Sequence, residues 1–106
     1  MRYAILIVQP LGNTQGGAYF ELAEWLCSAL RRLDQDVVIA SRPISDRRSI
    51  VLGWNFLPQG VELRGDSILF NTEQLFEGSP WVTPFMLALF WRFEVWDYSA
   101  ENTANY

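Results

Sequence analysis

The sequence predicts an α/β protein, in which five mostly parallel strands form a reduced, doubly wound sheet of the Rossmann-like kind. Short apolar runs alternate with helical patterns along the chain. The first run, residues 3–8, is continuous and is followed by turn residues, as in a strand that is covered on both faces. Half of the 106 residues are hydrophobic, so we expect one packed domain spanning residues 1–106.

The first half of the chain predicts three strands and one helix. A turn-rich loop, residues 10–17, precedes a helix over residues 18–33, and strands follow at residues 37–40 and 50–53. The link between these two strands is shorter than a helical crossover needs. Either it is an irregular parallel link or the two strands pair antiparallel. The apolar stripe of the helix comprises Leu22, Leu26, Ala29, Leu30 and Leu33.

The second half predicts a fourth strand at residues 67–70, a helix at residues 84–93 and a fifth strand around Val95. Either Ser79–Pro80 or Thr83–Pro84 can start this second helix. The helix is apolar nearly all round, so we expect it to be buried on more than one side, by loops or by a partner. That partner would be a second copy of the chain, in a homodimer, or a missing C-terminal domain. The expected strand order is 3-2-1-4-5.

Composition excludes several functions. The net charge is −4 and all eight basic residues are arginines without a basic stripe, which disfavours nucleic-acid binding. The absence of histidine excludes histidine-based acid–base catalysis and most zinc sites, and we predict neither a metal nor a cofactor. Cys27 is the single cysteine, so no internal disulfide can form, and we expect a buried thiol. No apolar run is long enough to span a bilayer, which predicts a cytoplasmic protein.

Polar residues follow the fourth and fifth strands, where ligands bind in open α/β sheets. Asn71, Glu73 and Gln74 follow one strand, and Asp97 follows the other. Tyr98 and Ser99 come directly after Asp97, and Asn102 follows a little further along. These side chains can bind hydroxyl groups, and Glu73 or Asp97 can act as a general base if its pKa is raised. Ser99 and Asn102 can equally cap a helix, and Thr72 can cap a turn.

A glycine pair, Gly16 and Gly17, precedes the first helix. Backbone amides at such a helix start can bind an anion, and glycines let the ligand approach closely. The spacing does not match the dinucleotide or P-loop patterns, and the alternative is a turn that starts the helix. Tryptophans such as Trp54 are more often core residues than ligand platforms, and Trp54, in a loop rich in proline and glycine, is the one candidate for stacking against a ligand.

From Gly16 onward, the chain resembles the amino-terminal half of bacterial glycosyltransferases with the two-domain GT-B fold. The similarity begins with the glycine pair, the helix stripe and the strand at residues 36–40. More specific segments are Asn-Thr-Glu-Gln-Leu, residues 71–75, and Val-Trp-Asp-Tyr-Ser, residues 95–99. These later segments are similar to a narrower bacterial group of glycosyltransferase-like proteins.

The resemblance implies an acceptor-side domain that faces a cleft. The cleft would be lined by Asn71, Glu73, Asp97 and Tyr98, which would bind the hydroxyls of a saccharide or another acceptor. Gly16 and Gly17 would bring the backbone close to it. A second domain would supply most contacts to a nucleotide-sugar, and the chain alone would be inactive. We therefore expect a longer protein, because the last motif resembles the opening of a further segment.

Two other interpretations stay open at this stage. The chain can be a stand-alone, non-catalytic module that binds a protein or small ligand, which the apolar helix at residues 84–93 favours. A flavodoxin-like nucleotide or flavin binder fits the fold class alone, and no motif supports it.

Overall fold

The computed structural model describes residues 1–8, 16–58, 60–73, 75 and 78–97. Along this part of the chain lie two α-helices, α1 (Gly16–Arg32) and α2 (Pro84–Arg92), and a short 3-10 turn at Trp54–Phe56. Five parallel strands form one sheet in the order β2-β1-β3-β4-β5. This confirms the predicted α/β, Rossmann-like fold. The strands are β1 (Arg2–Ile7), β2 (Asp36–Ala40), β3 (Arg48–Leu52), β4 (Ile68–Asn71) and β5 (Glu94–Asp97).

The core lies on both faces of the sheet, because side chains alternate along each strand. On one face, Ile5 and Ile7 of β1 pack against Ala23 and Leu26 of α1. On the other face, the core contains Leu6, Val51, Leu69, Trp54, Met86 and Phe93. The continuous apolar run of β1 therefore reflects two covered faces, as its sequence predicted.

The predicted strand order 3-2-1-4-5 is wrong, since β3 pairs with β1 on the side away from β2. Strands β2 and β3 do not pair with each other, and each runs parallel to β1. The seven connecting residues, 41–47, can reach about 23–25 Å when extended. To reach the start of β3, this link must run back along the length of β2 and cross two strand spacings, which is a distance of about 19 Å. No crossover helix is therefore required.

Burial explains why β3 rather than β2 takes the central position. Residues 49–52 of β3 are all buried, whereas Ile39 of β2 is 37% exposed. A strand that is apolar on both faces belongs inside a parallel sheet. The more exposed β2 occupies the edge.

Helix α1 covers one face with a narrower stripe than its sequence suggested. Leu26 and Cys27 are buried, and Leu22 and Leu30 pack beside them. The inclusion of Leu33 in this stripe is wrong, because α1 ends at Arg32 and Leu33 is 68% exposed. Cys27 is 4% exposed, which confirms the prediction of a buried thiol.

Helix α2 begins at the second of its two candidate caps. The Oγ1 atom of Thr83 accepts a hydrogen bond from the Met86 amide at 3.1 Å, and Pro84 occupies the first turn. Within the described structure, loops leave the outer face of α2 uncovered, since Leu87 is 47% and Trp91 is 94% exposed, and burial of this face by a partner stays a prediction. Among the described residues, neither helix has the length and apolar character to cross a membrane.

Gly53 fixes the geometry where β1 and β3 end. Its φ of 85° lies in the left-handed region, and a Cβ atom there would lie 2.6 Å from the carbonyl oxygen of Val8. The Val8 amide donates a hydrogen bond to the Leu52 carbonyl at 2.9 Å. The backbone segments at the ends of β1 and β3 can approach this closely only because residue 53 has no side chain.

We expect Gly53→Ala to lower the free energy of unfolding more than Gly60→Ala. Gly60 has a similar φ of 84° but open space around its Cβ position. Backbone strain should cost about 1–2 kcal/mol in both variants, and overpacking should add about 1–3 kcal/mol at Gly53 alone. Urea denaturation measures both losses. Equal losses would show that the contact with Val8 is not restrictive.

Candidate functional site

The side-chain amide of Asn71 is the centre of a polar cluster at the carboxyl edge of the sheet. Asn71 ends β4 and has 0% exposure. Its Oδ1 atom accepts hydrogen bonds from Trp54 Nε1 at 2.9 Å and from the Glu73 amide at 3.2 Å. Its Nδ2 atom donates to Asp97 Oδ2 at 2.9 Å and to the Glu73 carbonyl at 3.0 Å. Asn71 therefore joins three segments: the 3-10 turn, the loop after β4 and the end of β5.

The prediction that Asn71 binds a substrate hydroxyl does not fit this geometry. A primary amide offers two donor hydrogens and two acceptor lone pairs, and the four hydrogen bonds above occupy all of them. With no exposed surface either, Asn71 acts as a positioning residue. It orients the groups around it rather than contacting a ligand.

Both predicted carboxylates lie around Asn71. Glu73 and Asp97 are each partly exposed, and Asn71 pairs with Asp97 in the register of β4 and β5. Glu73 Oε1 accepts a long hydrogen bond of 3.4 Å from Asn55 Nδ2. Two partly exposed carboxylates at one edge can accept hydrogen bonds from hydroxyl groups, and either can take a proton from such a group.

Tyr19, on the second turn of α1, brings a phenol to the same cluster. Burial raises the pKa of Tyr19 above its ordinary value, a hydrogen bond with the Thr72 side chain opposes this rise, and the Glu73 charge adds to it. The hydroxyl is therefore protonated at neutral pH. A neutral phenol beside a carboxylate can donate one hydrogen bond and accept another.

Asn55 supplies a buried acceptor beside Glu73. Its Oδ1 atom is buried and has no hydrogen-bond partner in the described part of the chain, whereas its Nδ2 atom faces Glu73. A buried oxygen without a donor costs about 1–3 kcal/mol. A bound hydroxyl or amine could satisfy this oxygen, so its position favours a ligand next to Glu73.

The interpretation of Trp54 as a stacking platform is wrong. Trp54 is 2% exposed, and Phe90 of α2 contacts its ring edge-on with centroids 4.9 Å apart. Its indole nitrogen is bonded to Asn71. Trp54 instead connects the apolar core to the polar cluster.

The remaining predicted residues have different outcomes. Gly16 and Gly17 open α1, so their amides belong to its first turn, as the anion-binding prediction required, but no described contact tests that role. Gln74, Tyr98, Ser99 and Asn102 lie outside the described residues. Within the described structure, no cluster of three or more histidine, cysteine or acidic residues could hold a metal ion.

Sequence reasoning missed Tyr19 and Asn55. Tyr19 lies on α1, which packs against β1 and β2, and its contact with the loop after β4 depends on a strand order that was predicted wrongly. Asn55 had a better signal, since Gly53 marks the end of an apolar strand and polar residues just after such ends often face ligands. The contact between Asn55 and Glu73 required the strand order as well.

Comparisons with known proteins identify no relatives of this chain. No protein-family model, no curated protein and no solved structure matches it. The glycosyltransferase resemblance therefore stays a prediction. What the chain does has to be argued from the cluster itself.

We expect Asn71→Asp to be strongly destabilising, by about 3–5 kcal/mol, since it places a new carboxylate against Asp97 Oδ2 and the Glu73 carbonyl in a buried position. Adding Asp97→Asn should recover part of this loss, because the new amide can donate to the new carboxylate. The coupling energy should be about 1–3 kcal/mol. Urea denaturation of both single variants and the double variant measures it. Additive losses would contradict the direct contact between residues 71 and 97.

Proposed function

We propose that this chain is the acceptor-side half of a glycosyltransferase-like protein, and that it binds a hydroxyl-bearing acceptor beside Glu73 and Asp97. The observation that carries the proposal is that four polar side chains lie at one carboxyl edge. Asp97 is bonded to the buried Asn71 amide, and Tyr19 and Asn55, with its unsatisfied Oδ1, lie beside Glu73. These groups are the acceptors and donors that a sugar hydroxyl requires. The residues that carry the glycosyltransferase resemblance, Asn71, Glu73 and Asp97, belong to this cluster.

The proposed chemistry assigns a separate role to each group. The Glu73 carboxylate takes the proton of the acceptor hydroxyl, and Asp97, held by Asn71, accepts a second hydrogen bond that orients the acceptor. The acceptor oxygen then bonds to the anomeric carbon while the bond from that carbon to the nucleoside diphosphate breaks. A nucleotide-sugar bound by a second domain supplies this carbon. The neutral hydroxyl of Tyr19 stays beside Glu73 and can pass the proton onward.

We expect Glu73→Gln to lower kcat by about 10²–10⁴-fold with little change in KM, because a glutamine accepts hydrogen bonds but no proton. The assay uses a protein in which this chain is joined to its nucleotide-sugar-binding domain. Glu62→Gln is the matched control, since Glu62 is exposed and lies outside the cluster.

The same assay tests the assignment of both carboxylates. A double variant, Glu73→Gln with Asp97→Asn, should have no measurable transfer. Retained activity in a folded double variant would remove the catalytic assignment. Retained acceptor binding without transfer would leave the binding role in place.

A second candidate function is a non-catalytic module that forms a homodimer through α2. The outer face of α2 favours it, since Leu87 and Trp91 are four residues apart, lie on one face and are exposed. Two copies of one apolar patch can cover each other around a twofold axis. An exposed patch of this kind is typical of an interaction surface.

We expect the chain to sediment as a dimer at micromolar concentration if this module function holds, and Trp91→Ser to convert it to a monomer. Trp25→Ser is the matched control, because Trp25 is 67% exposed on the other helix. Sedimentation velocity distinguishes the two species. A monomeric parent chain at high concentration would exclude the homodimer without affecting the acceptor-binding proposal.

A further inference from the structure

A cavity of about 710 Å³ opens at the carboxyl edge of the sheet, near the ends of β1 and β2. Small-molecule sites have volumes of about 300–1,000 Å³. Two smaller cavities, of about 250 and 420 Å³, lie elsewhere on the described surface. This cavity is therefore large enough to hold most of a small organic molecule.

The cavity lies beside the point at which the strand order reverses, which falls between β1 and β3 in a sheet of this order. The chain passes from β1 to β2 on one side and then to β3 on the other. In doubly wound sheets, ligands bind outside the carboxyl ends of the strands at such a point. The cavity is distinct from the polar cluster, because none of the cluster residues named above lines it.

The walls of the cavity are mostly apolar. Residues 6–8 contribute from the end of β1, and Phe20 contributes from α1. Ile39 lines the β2 side, and Leu57 and Val61 line the opposite side. Such walls favour an aliphatic or aromatic body.

Arg42 gives the cavity one positive charge. It is exposed and lines the cavity together with Ser41 and Pro43. Among the described residues, Arg42 forms no ion pair, in contrast to Arg2, Arg47, Arg48 and Arg64. The cavity of about 420 Å³ differs, because it contains Glu24 beside Arg31. A guanidinium group without an acidic neighbour in its own cavity is suited to a carboxylate or phosphate.

We propose that this cavity binds a small amphiphilic anion, with its apolar body against β1 and Phe20 and its anionic group at Arg42. The protein carries a net charge of −4, which disfavours docking on an anionic membrane surface. The ligand is therefore a free molecule. This binding does not depend on the proposed glycosyltransferase activity.

Three probes separate the two halves of the proposal. Octanoate has both an apolar body and a charge, octan-1-ol has only the body, and acetate has only the charge. Isothermal titration calorimetry should show saturable binding of octanoate with one site. Octan-1-ol should bind about three- to tenfold more weakly, since the ion pair with Arg42 is partly screened by solvent. Acetate should not bind.

Two substitutions test the location. Arg42→Gln should remove the preference for octanoate over octan-1-ol, whereas Arg32→Gln, on the exposed end of α1, should keep it. Ser41→Trp should fill the cavity and abolish binding of both probes. Ser45→Trp, an exposed residue of the same connection that does not line the cavity, should leave binding unchanged.

Several results would overturn the proposal. If octanoate does not bind saturably, the site is excluded. If octanoate and octan-1-ol bind with equal affinity, recognition of the anionic group is excluded. Octanoate binding that survives Ser41→Trp would place the ligand elsewhere. Because all four substituted residues are exposed, these variants should fold, and circular dichroism checks this. The protein can also be sedimented with phosphatidylserine vesicles. If it binds them and octanoate does not displace it, the occupant of the site is a membrane surface rather than a free molecule, and the proposal is overturned.

Discussion

The carboxyl edge of this sheet depends on one buried side-chain amide. Parallel strands leave backbone donors and acceptors unpaired where they end, and buried groups of this kind need partners. Asn71 satisfies both backbone groups of Glu73 while it also bonds to Trp54 and Asp97. A carboxylate at position 71 could not donate, and an apolar residue could neither donate nor accept. The loop after β4 and the end of β5 therefore take their positions from this amide.

The opposite edge of the sheet is stabilised by different chemistry. Arg47 is largely buried and donates to the Tyr3 and Asp36 carbonyls at 3.1 and 3.3 Å. A hydrogen bond from the Arg47 guanidinium also holds the pKa of Asp36 below its usual range. Arg48 bridges β3 and β5 through Glu94 at 2.7 Å. Arginines thus engage Asp36 and Glu94 at the amino edge, whereas asparagine amides contact Glu73 and Asp97 at the carboxyl edge. The described ion pairs of the strand ends thus lie at the amino edge, and amide hydrogen bonds predominate at the carboxyl edge.

Local patterns in the sequence predicted the positions of the strands and helices well. They predicted the pairing order of the strands less well. The run at residues 3–8 and the Thr83–Pro84 pair each correspond to an observed strand or helix start, because burial and capping act over a few residues. The side of β1 on which β3 pairs has no local signature. The reach of the seven-residue link permits this order, and the deeper burial of β3 relative to β2 is a property of the assembled sheet.

The same distinction explains which site residues could be predicted. Glu73 and Asp97 follow strands directly, so the topology of any parallel sheet brings them to one edge. The role of Asn71 could not be read from sequence, because the same residue type at a strand end can face solvent or be buried. Only the contact with Trp54, which requires the 3-10 turn after Gly53, decides between them.

The polar cluster and the cavity share their structural supports. Tyr19 faces the cluster and the next residue, Phe20, lines the cavity, so one turn of α1 contributes to both. On the other side, Asn55 belongs to the cluster and Leu57 to the cavity, and the 3-10 turn connects them. Gly53 holds this turn against the end of β1 through the close contact with Val8. Phe20 and Leu57 of the cavity wall are thus one and two residues away in the chain from Tyr19 and Asn55, which lie beside Glu73. The turn of α1 and the 3-10 turn therefore set the shape of the cavity and the positions of the polar groups together.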